Sequence, residues 1–402
     1  MKKNKKCNNR REFLKTCGLS TIPFLMPTAS INAFSSIKDK PIISNKNQPI
    51  VNFIFDGFNF SPQEYIEKLT EINLSNPISK DFYGSGGETE LLEKSFAKIT
   101  GKEKAIYLPT GTMANQIAIY LLNGNNTKVI VPENSHVYRD EADAAQSVFN
   151  KRLIPVETDN AYFNLSELEK TIKETNNNEV FKSGLGTVVI ENPIRRANGI
   201  AVPIETIQKI SNYCKQKGYK MHLDGARLHI ASAFTNVSVL EYASYFDTVY
   251  ISLYKYLNAA GGAILCGDAE IIDQVAHQIK IHGGAAYKTW PNTSVALHYL
   301  QTIEEKLKQV KEITSILIPE LNKIDGISIT KIENGTNLYD LKLSKNINSE
   351  KLESILYKEH YIWISSANQD GITRFAVNES LLSRDIQDII QAWKQSIIKA
   401  RN

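Results

Sequence analysis

The stretch "KAIYLPTGTMANQIAIYLLNG", residues 104–124, predicts the fold of this chain. Residues 104–109 form a short apolar run of the length of a buried strand, and residues 111–124 have the composition of a helix. A Thr-Gly-Thr turn joins the two segments, so the strand leads directly into a helix N-terminus. Unpaired amide groups and the positive end of the helix dipole make such a turn suitable for binding a phosphate.

The alternation of strands and helices continues beyond this stretch. Further strands are predicted at 127–133, 152–157, 186–193, 219–226 and 246–253, and further helices at 136–149, 164–175 and 204–218. Ser166 and Glu169 fit a capping box in the helix at 164–175. The pattern predicts an α/β fold with a mostly parallel sheet covered on both faces. In such a sheet, ligands bind beyond the carboxyl ends of the strands.

The pattern changes after about residue 300. A long helix is predicted at 297–324 and a final helix at 384–401, with strand-like segments between them. We therefore expect a large domain over residues 50–296 and a smaller C-terminal α+β domain over residues 297–402. A polar linker at 35–49 precedes them.

The first 34 residues are similar to an export signal. A basic segment, residues 1–15, is followed by a moderately apolar one, residues 17–34. The residues that fit a twin-arginine signal are Arg10, Arg11, Phe13 and Leu14. We expect residues 1–34 to direct the folded protein through the twin-arginine (Tat) export machinery, to the periplasm or outside the cell. The alternative is a solvated basic tail on a cytoplasmic protein.

The composition of the chain narrows the classes of function. With 402 residues, of which 42% are hydrophobic and 22% charged, the chain can bury a large core. It lacks a run of the ~18 apolar residues that a membrane span needs, so stable membrane insertion is not expected. Outside the basic N-terminus the charge is nearly balanced, which argues against a nucleic-acid partner. The four cysteines show neither zinc-ligand nor disulfide-framework spacing, so no metal is predicted.

Two charged residues stand at the ends of apolar strands. Asp224 ends "KMHLD" (220–224), and Lys255 follows "YISLY" (250–254). Each is costly in such a place without a partner, and both strand ends could meet at one edge of the sheet. A lysine, a carboxylate and a phosphate-binding turn together suit pyridoxal 5'-phosphate (PLP). Taken alone, either residue could be a surface charge or a buried charge that is paired with another core residue.

Three stretches resemble the threonine aldolase and β-eliminating lyase family, PLP-dependent enzymes of the aspartate aminotransferase fold, known as fold type I. They are "DFYGSGGETELLEKSFAKITGKEKAIYLPTGTMANQIAI" (81–119), "HLDGARL" (222–228) and "ISLYKYLNAAGGAILCGD" (251–268). The resemblance implies that Lys255 forms a Schiff base with PLP and that Asp224 pairs with the pyridine nitrogen. It also implies that His136 stacks on the cofactor ring. The further cofactor contacts that it implies are Gly111, Thr112, Met113 and Arg227.

The resemblance also implies a reaction. Arg374 and Arg227 match arginines near the substrate carboxylate, which the bidentate geometry of a guanidinium favours. Glu141 matches a carboxylate near the active site, although a solvated helix glutamate is an alternative interpretation. The expected reaction is cleavage of the Cα–Cβ bond of a β-hydroxy-α-amino acid to glycine and an aldehyde, with His136, Glu141 or a water as the base. Family members assemble as homodimers or homotetramers, which we expect here.

Among the departures from the family pattern, two concern the substrate pocket. In "ENPIRRANG" (191–199), Ile194 replaces the histidine that contacts the substrate hydroxyl, and Arg195 is expected to reach the substrate instead. Tyr254 and Tyr256 replace the serine and glycine that usually flank the lysine, which predicts a pocket of different shape. These departures leave three alternatives open: β-elimination, another PLP reaction of amino acids, and a non-catalytic exported protein that binds an amino acid.

Overall fold

The computed structural model describes residues 49–401 of the chain. The predicted export signal at 1–34 lies outside the described residues, as does the predicted linker at 35–49 except for its last residue. None of the helices within residues 49–401 combines the length and the apolar character that crossing a membrane requires.

A seven-stranded sheet forms the centre of the fold. Its strands, in spatial order, are β2 (Lys104–Leu108), β8 (Ala263–Gly267), β7 (Thr248–Ser252), β6 (Lys220–Asp224), β5 (Leu185–Glu191), β3 (Lys128–Pro132) and β4 (Arg152–Val156). Strand β8 runs antiparallel to both of its neighbours, and every other adjacent pair is parallel. The predicted α/β fold with a mostly parallel sheet is therefore confirmed.

The sheet register brings the ends of three central strands together. Glu191 of β5 lies beside Asp224 of β6, and Asp224 lies beside Tyr250 of β7. Because these strands are parallel, their carboxyl ends share one edge of the sheet. Lys255 follows β7 after a short irregular segment, so the chain carries it to the same edge.

Helices cover this sheet. They are α1 (Pro62–Ser75), α2 (Gly87–Thr100), α3 (Gly111–Asn123), α4 (His136–Arg139), α5 (Ala144–Phe149), α6 (Leu165–Asn177), α7 (Ile204–Lys217), α8 (Leu228–Thr235), α9 (Val239–Ser244), α10 (Ala269–Ile281) and α11 (Trp290–Leu300). Apolar side chains of the sheet and of these helices form a large buried core.

The predicted helix at 136–149 is two short helices, α4 and α5. Ala142 and Asp143 have φ angles of 51° and 52°, in the left-handed region, where a right-handed helix cannot continue. The break matters for the site, because it lies directly after Glu141.

The capping box of α6 also differs from the prediction. Asn164 and Glu167 form it, rather than Ser166 and Glu169. The asparagine side chain accepts a hydrogen bond from the backbone of Glu167, whose carboxylate in turn accepts one from the backbone of Asn164. The helix therefore begins two residues earlier than the predicted box requires.

The C-terminal part has its own sheet and core. The predicted helix at 297–324 is divided between the end of α11 and α12 (Ile303–Asn322). The remaining elements are β9 (Ile327–Lys331), β10 (Leu338–Leu343), α13 (Ser349–His360), β11 (Ile362–Trp363), β12 (Ile372–Ala376) and α14 (Ile386–Ala400). Strands β9, β10 and β12 form an antiparallel sheet in the order β12-β10-β9.

The first described strand belongs to this C-terminal core. Strand β1 (Val51–Asn52) pairs in parallel with β11, and the ring of Phe53 stacks on Phe375 with centroids 4.0 Å apart. The chain thus passes through the C-terminal core before it enters the central sheet. The division into domains at 296 and 297 stays a prediction.

Candidate active site

Lys255 lies in a half-buried position after β7. The segment around Gly57 packs directly on it, since a Cβ atom on Gly57 would lie 2.9 Å from the carbonyl oxygen of Lys255. Burial, reinforced by the positive charge of Arg227, lowers the pKa of Lys255 to about 7. A substantial fraction of this amine is therefore uncharged and nucleophilic at neutral pH.

Asp224 is buried at the end of β6 and is held by two donors. Its Oδ2 accepts a hydrogen bond from Nδ2 of Asn115 at 3.2 Å, and its Oδ1 accepts one from the backbone of Ala226 at 3.3 Å. Asn115 is fully buried on α3, one helical turn after Gly111. The carboxylate is thus fixed in position, as an acid that pairs with a ring nitrogen must be.

A chain of hydrogen bonds behind Asp224 fixes the orientation of Asn115. Burial lowers the pKa of His222 to about 4, so its ring is neutral. Its Nε2 donates to Oδ1 of Asn115 at 3.0 Å, while its Nδ1 accepts from the Thr248 hydroxyl at 2.8 Å. With its oxygen engaged by His222, the amide of Asn115 turns both N–H bonds toward carboxylates.

The second of these carboxylates is Glu141. Its Oε1 accepts from Asn115 at 2.8 Å and lies 3.0 Å from Nδ1 of His136. Because a carboxylate only accepts, Nδ1 of His136 carries a hydrogen and Nε2 is the open ring nitrogen. Burial works against a charged ring, yet the bond to Glu141 and the charges of Asp224 and Glu141 raise the pKa of His136 overall.

His136, Glu141 and Asp224 therefore form one cluster, in which one polar side-chain atom from each residue lies within 4.8 Å of the other two. Glu141 is buried rather than solvated, and it lies between the end of α4 at Arg139 and the left-handed residues Ala142 and Asp143. The imidazole of His136 remains 27% exposed, so it can face a ligand. His136, which is expected to stack on the cofactor ring, thus lies in the same cluster as Asp224, which is expected to pair with the ring nitrogen.

The start of α3 offers a place for an anion. Thr110 caps the helix by accepting a hydrogen bond from the backbone of Met113. Within residues 49–401, the amides of Gly111 and Thr112 find no acceptor, whereas that of Met113 is used by the cap. A Cβ atom on Gly111 would lie 2.0 Å from the hydroxyl oxygen of Tyr250, so only glycine fits here. Two amides at a positive helix end suit a phosphate.

Glu191 links two segments that flank the site. Its carboxylate accepts from the backbone of His136 at 2.6 Å and from the backbone of Arg195 at 2.8 Å. Burial and the nearby charge of Asp224 raise the pKa of Glu191 to about 7. One buried carboxylate thus fixes the backbone at both His136 and Arg195.

The charges of two arginines, Arg195 and Arg227, act on a third, Arg374. Nε of Arg227 donates to Asp56 at 2.8 Å, and this pair outweighs the effect of burial and raises the pKa of Arg227. Arg374, on β12, has its pKa lowered by burial and then by the charges of Arg195 and Arg227. A cluster of this kind attracts carboxylates.

The departures from the family pattern fall in different places. Ile194 is fully buried in the large core. Tyr256 is buried too, and its hydroxyl lies 2.9 Å from Nδ1 of His229. Tyr254 is 47% exposed, with Nζ of Lys255 5.5 Å from its ring centroid, so this tyrosine can shape a pocket beside the lysine.

Four residues of the site were not anticipated from the sequence: Asp56, Asn115, Glu191 and His222. Glu191 ends an apolar strand just as Asp224 does, so the same argument could have found it. Asn115 follows Gly111 by one helical turn, which places it over the sheet edge. No local signal marks Asp56, because its partner Arg227 is distant in sequence.

The residues present fit PLP. A partly neutral lysine, a buried carboxylate and a helix N-terminus with two open amides meet at the carboxyl ends of a mostly parallel sheet. This fold and this site define a PLP-dependent enzyme of fold type I. A model of the beta-eliminating lyase family matches residues 68–344, and the chain belongs to that family.

Relatives of known description are similar to much of the chain. A low-specificity L-threonine aldolase of Candida albicans is 32% identical over 60% of this chain and 64% of its own length. Low-specificity L-threonine aldolase 1 of Arabidopsis thaliana is 24% identical over 83% and 93%, respectively. The chain thus matches somewhat less than two thirds of the Candida albicans relative.

A solved structure supports the fold. The threonine aldolase of Leishmania major superimposes with a TM-score of 0.65 at 16% identity, covering 87% of this chain and 99% of that one. At this identity the likeness shows the fold alone. It agrees with the fold type I architecture that the sequence predicts.

Proposed function

We propose that this protein is a PLP-dependent aldolase that cleaves the Cα–Cβ bond of β-hydroxy-α-amino acids and releases glycine and an aldehyde. The observation that carries the proposal is the meeting of Lys255, Asp224 and the start of α3 at one sheet edge. The names of the Candida albicans and Arabidopsis thaliana relatives support the same reaction.

In this proposal, three groups hold the cofactor. Lys255 would bind its aldehyde group, Asp224 would hold the proton on its ring nitrogen, and the amides of Gly111 and Thr112 would bind its phosphate. Bound PLP supplies an electron sink for the electron pair released when the Cα–Cβ bond breaks. Asn115 would keep the Asp224 carboxylate in place beside the ring, through its hydrogen bond to Oδ2.

His136 is the proposed base for the β-hydroxyl proton, in preference to Glu141. Oε1 of Glu141 already accepts from Asn115 and His136, and its side chain is buried. The imidazole of His136 is partly exposed, and its Nε2 makes no hydrogen bond within the described part of the chain. Glu141 orients the ring and favours the protonated form after transfer.

Arg374 is the proposed anchor of the substrate α-carboxylate. It has no carboxylate partner within 4 Å in residues 49–401. Arg227 already pairs with Asp56, so we do not assign it a direct contact with the α-carboxylate. An α-carboxylate held by Arg374 would keep the amino acid on the Lys255 side of the site.

The products decide between the proposal and its alternatives. Purified protein loaded with PLP is incubated with L-threonine, L-allo-threonine and L-serine, and glycine, acetaldehyde, pyruvate and ammonia are quantified. Equal amounts of glycine and acetaldehyde, lost in Lys255→Ala, are expected. Pyruvate and ammonia would indicate β-elimination instead. PLP binding without any product would favour a protein that only binds amino acids.

We also propose that the protein is exported and forms a homodimer or homotetramer. The twin-arginine pattern in residues 1–34 supports export. Exposed aromatic rings support assembly: Tyr83 and Tyr287 are 61% and 56% exposed, and their centroids lie 5.3 Å apart. Fractionation of cells that produce the full chain tests the first statement. Light scattering tests the second, with a monomer as the contradicting result.

A further inference from the structure

The turn that presents Lys255 is closed by a buried asparagine three residues further along the chain. Asn258 has a φ angle of 57°, in the left-handed region that asparagine tolerates better than most residues other than glycine. Its backbone N–H donates to the carbonyl oxygen of Lys255 at 3.4 Å, and the backbone of Ala259 donates to that of Leu253 at 3.1 Å. The backbone of Lys255 thus bonds directly to a residue whose polar side chain is buried.

The side chain of Asn258 joins three segments of the chain. Its Oδ1 accepts a hydrogen bond from the backbone of Phe58 at 2.8 Å. Its Nδ2 donates to the carbonyl oxygen of Tyr256 at 3.3 Å and to the carboxylate of Glu379. Glu379 is buried as well and forms an ion pair with Lys306 at 3.2 Å. The amide of Asn258 therefore uses both its oxygen and its nitrogen in buried bonds, which cost free energy when they are left unmade.

The segment at residues 52–58 is fixed on both sides. On the side of this turn, a Cβ atom on Gly57 would lie 2.4 Å from Oδ1 of Asn258, so the two segments are in close contact. On the side of the C-terminal core, Nδ2 of Asn378 donates to the carbonyl oxygen of Phe55 at 2.8 Å. The segment therefore cannot move away from the turn without breaking buried hydrogen bonds.

The same segment reaches the strand of the proposed carboxylate anchor. The carbonyl oxygen of Phe53 accepts a hydrogen bond from the backbone of Ala376 at 2.9 Å, and Ala376 follows Arg374 by two residues on β12. The side chain of Asn258 thus connects the turn of Lys255, through this segment, to the strand of Arg374. Because both of these cations are proposed to act on one ligand, their separation matters for binding.

We propose that Asn258 is a positioning residue, whose side chain fixes the turn so that the amine of Lys255 meets the aldehyde of the cofactor. It acts through Lys255, not through a contact of its own with the cofactor. This inference rests on the role of Lys255 in the proposed function, namely that it binds PLP. It does not depend on which reaction of the amino acid follows.

Asn258→Gly tests the side chain by itself. Glycine adopts a φ of 57° without strain, so the substitution removes the side-chain bonds and leaves the backbone of the turn in an allowed conformation. Asn236→Gly is the matched control, because Asn236 is exposed, has a φ of 61° and accepts a hydrogen bond from Lys311 at 2.9 Å. Both substitutions exchange the same residue types in the same backbone conformation, so the entropic cost of glycine is the same in both.

Two ligands separate the positioning of Lys255 from a general loss of structure. PLP has an aldehyde that reacts with the amine, whereas deoxypyridoxine phosphate has a methyl group in its place and keeps the ring nitrogen and the phosphate. Calorimetric titration of cofactor-free protein gives a Kd for each. In Asn258→Gly the Kd for PLP should be at least about tenfold higher than in wild type, because a displaced amine no longer meets the aldehyde. The Kd for deoxypyridoxine phosphate should change less than about threefold, and Asn236→Gly should leave both values within that range.

Asn258→Asp tests the bond to Glu379 separately. An aspartate keeps an oxygen for the backbone of Phe58 but places two carboxylates against each other at Glu379. Protonation of one of these carboxyl groups restores a donor between them. The Kd for PLP should therefore be raised, and its ratio to the wild-type Kd at the same pH should fall toward one as the pH is lowered.

The results distinguish this inference from the proposed function. Equal losses of affinity for PLP and deoxypyridoxine phosphate in Asn258→Gly, or unchanged values for both, would overturn the inference alone. A Kd ratio in Asn258→Asp that does not change with pH would also contradict it. A wild-type protein that binds PLP no more tightly than Lys255→Ala does would overturn the proposed function, and this inference with it.

Discussion

Replacing Asn115 by alanine removes a buried amide that joins both halves of the site. Three hydrogen bonds are lost: to Glu141 at 2.8 Å, to Asp224 at 3.2 Å and from His222 at 3.0 Å. Hydrogen bonds to charged groups contribute about 1.5–3 kcal/mol each, and one between neutral groups about 1 kcal/mol. Because the three share one residue they are not additive, and we expect Asn115→Ala to lower the free energy of unfolding by about 3–5 kcal/mol.

Urea titration of the protein without added PLP measures this loss. Asn125→Ala is the matched control, since Asn125 is exposed, and it should change the free energy of unfolding by less than about 0.5 kcal/mol. Asn115→Asp would place a third carboxylate beside Asp224 and Glu141. Its deficit should therefore shrink as the pH falls and carboxylates are protonated. A loss below about 1 kcal/mol in Asn115→Ala would show that this network does not hold the site together.

Two further predictions concern the base and the cofactor. Glu141→Gln removes the negative charge that raises the pKa of His136, so the acidic limb of the pH profile of kcat/KM should move to lower pH. An unchanged limb would exclude His136, oriented by Glu141, as the base. Gly111→Ala places a methyl group 2.0 Å from the hydroxyl oxygen of Tyr250, so the helix start or the tyrosine must shift. Absorbance titration should then give a Kd for PLP at least about tenfold higher, and an unchanged Kd would contradict the proposed phosphate site.

Local patterns in the sequence were enough to predict the architecture. The alternation of strands and helices predicted the mostly parallel sheet. The cost of a charge at the end of an apolar strand indicated Asp224 and Lys255 as site residues. Strand β8 was not separated from the motif around it, because its apolar composition does not reveal that it runs antiparallel. The direction of a strand depends on its neighbours in space.

The partners of the site residues could not be predicted in the same way. Glu141 could have been solvated, but it is buried against Asn115 and His136, which are distant from it or poorly marked in the sequence. Arg227 depends on Asp56, which lies far away in the chain. Tyr256 stands beside the lysine in sequence but lies in the core against His229. Each of these outcomes depends on tertiary contacts, which local composition does not encode.

The most direct test of the account is to find where the cofactor is attached. Protein loaded with PLP is reduced with borohydride and digested, and the peptides are identified by mass spectrometry. We predict a stable pyridoxyl phosphate adduct on Lys255, absent from Lys255→Ala and lost when reduction is omitted. An unmodified Lys255, with the adduct spread over exposed lysines, would contradict the central claim.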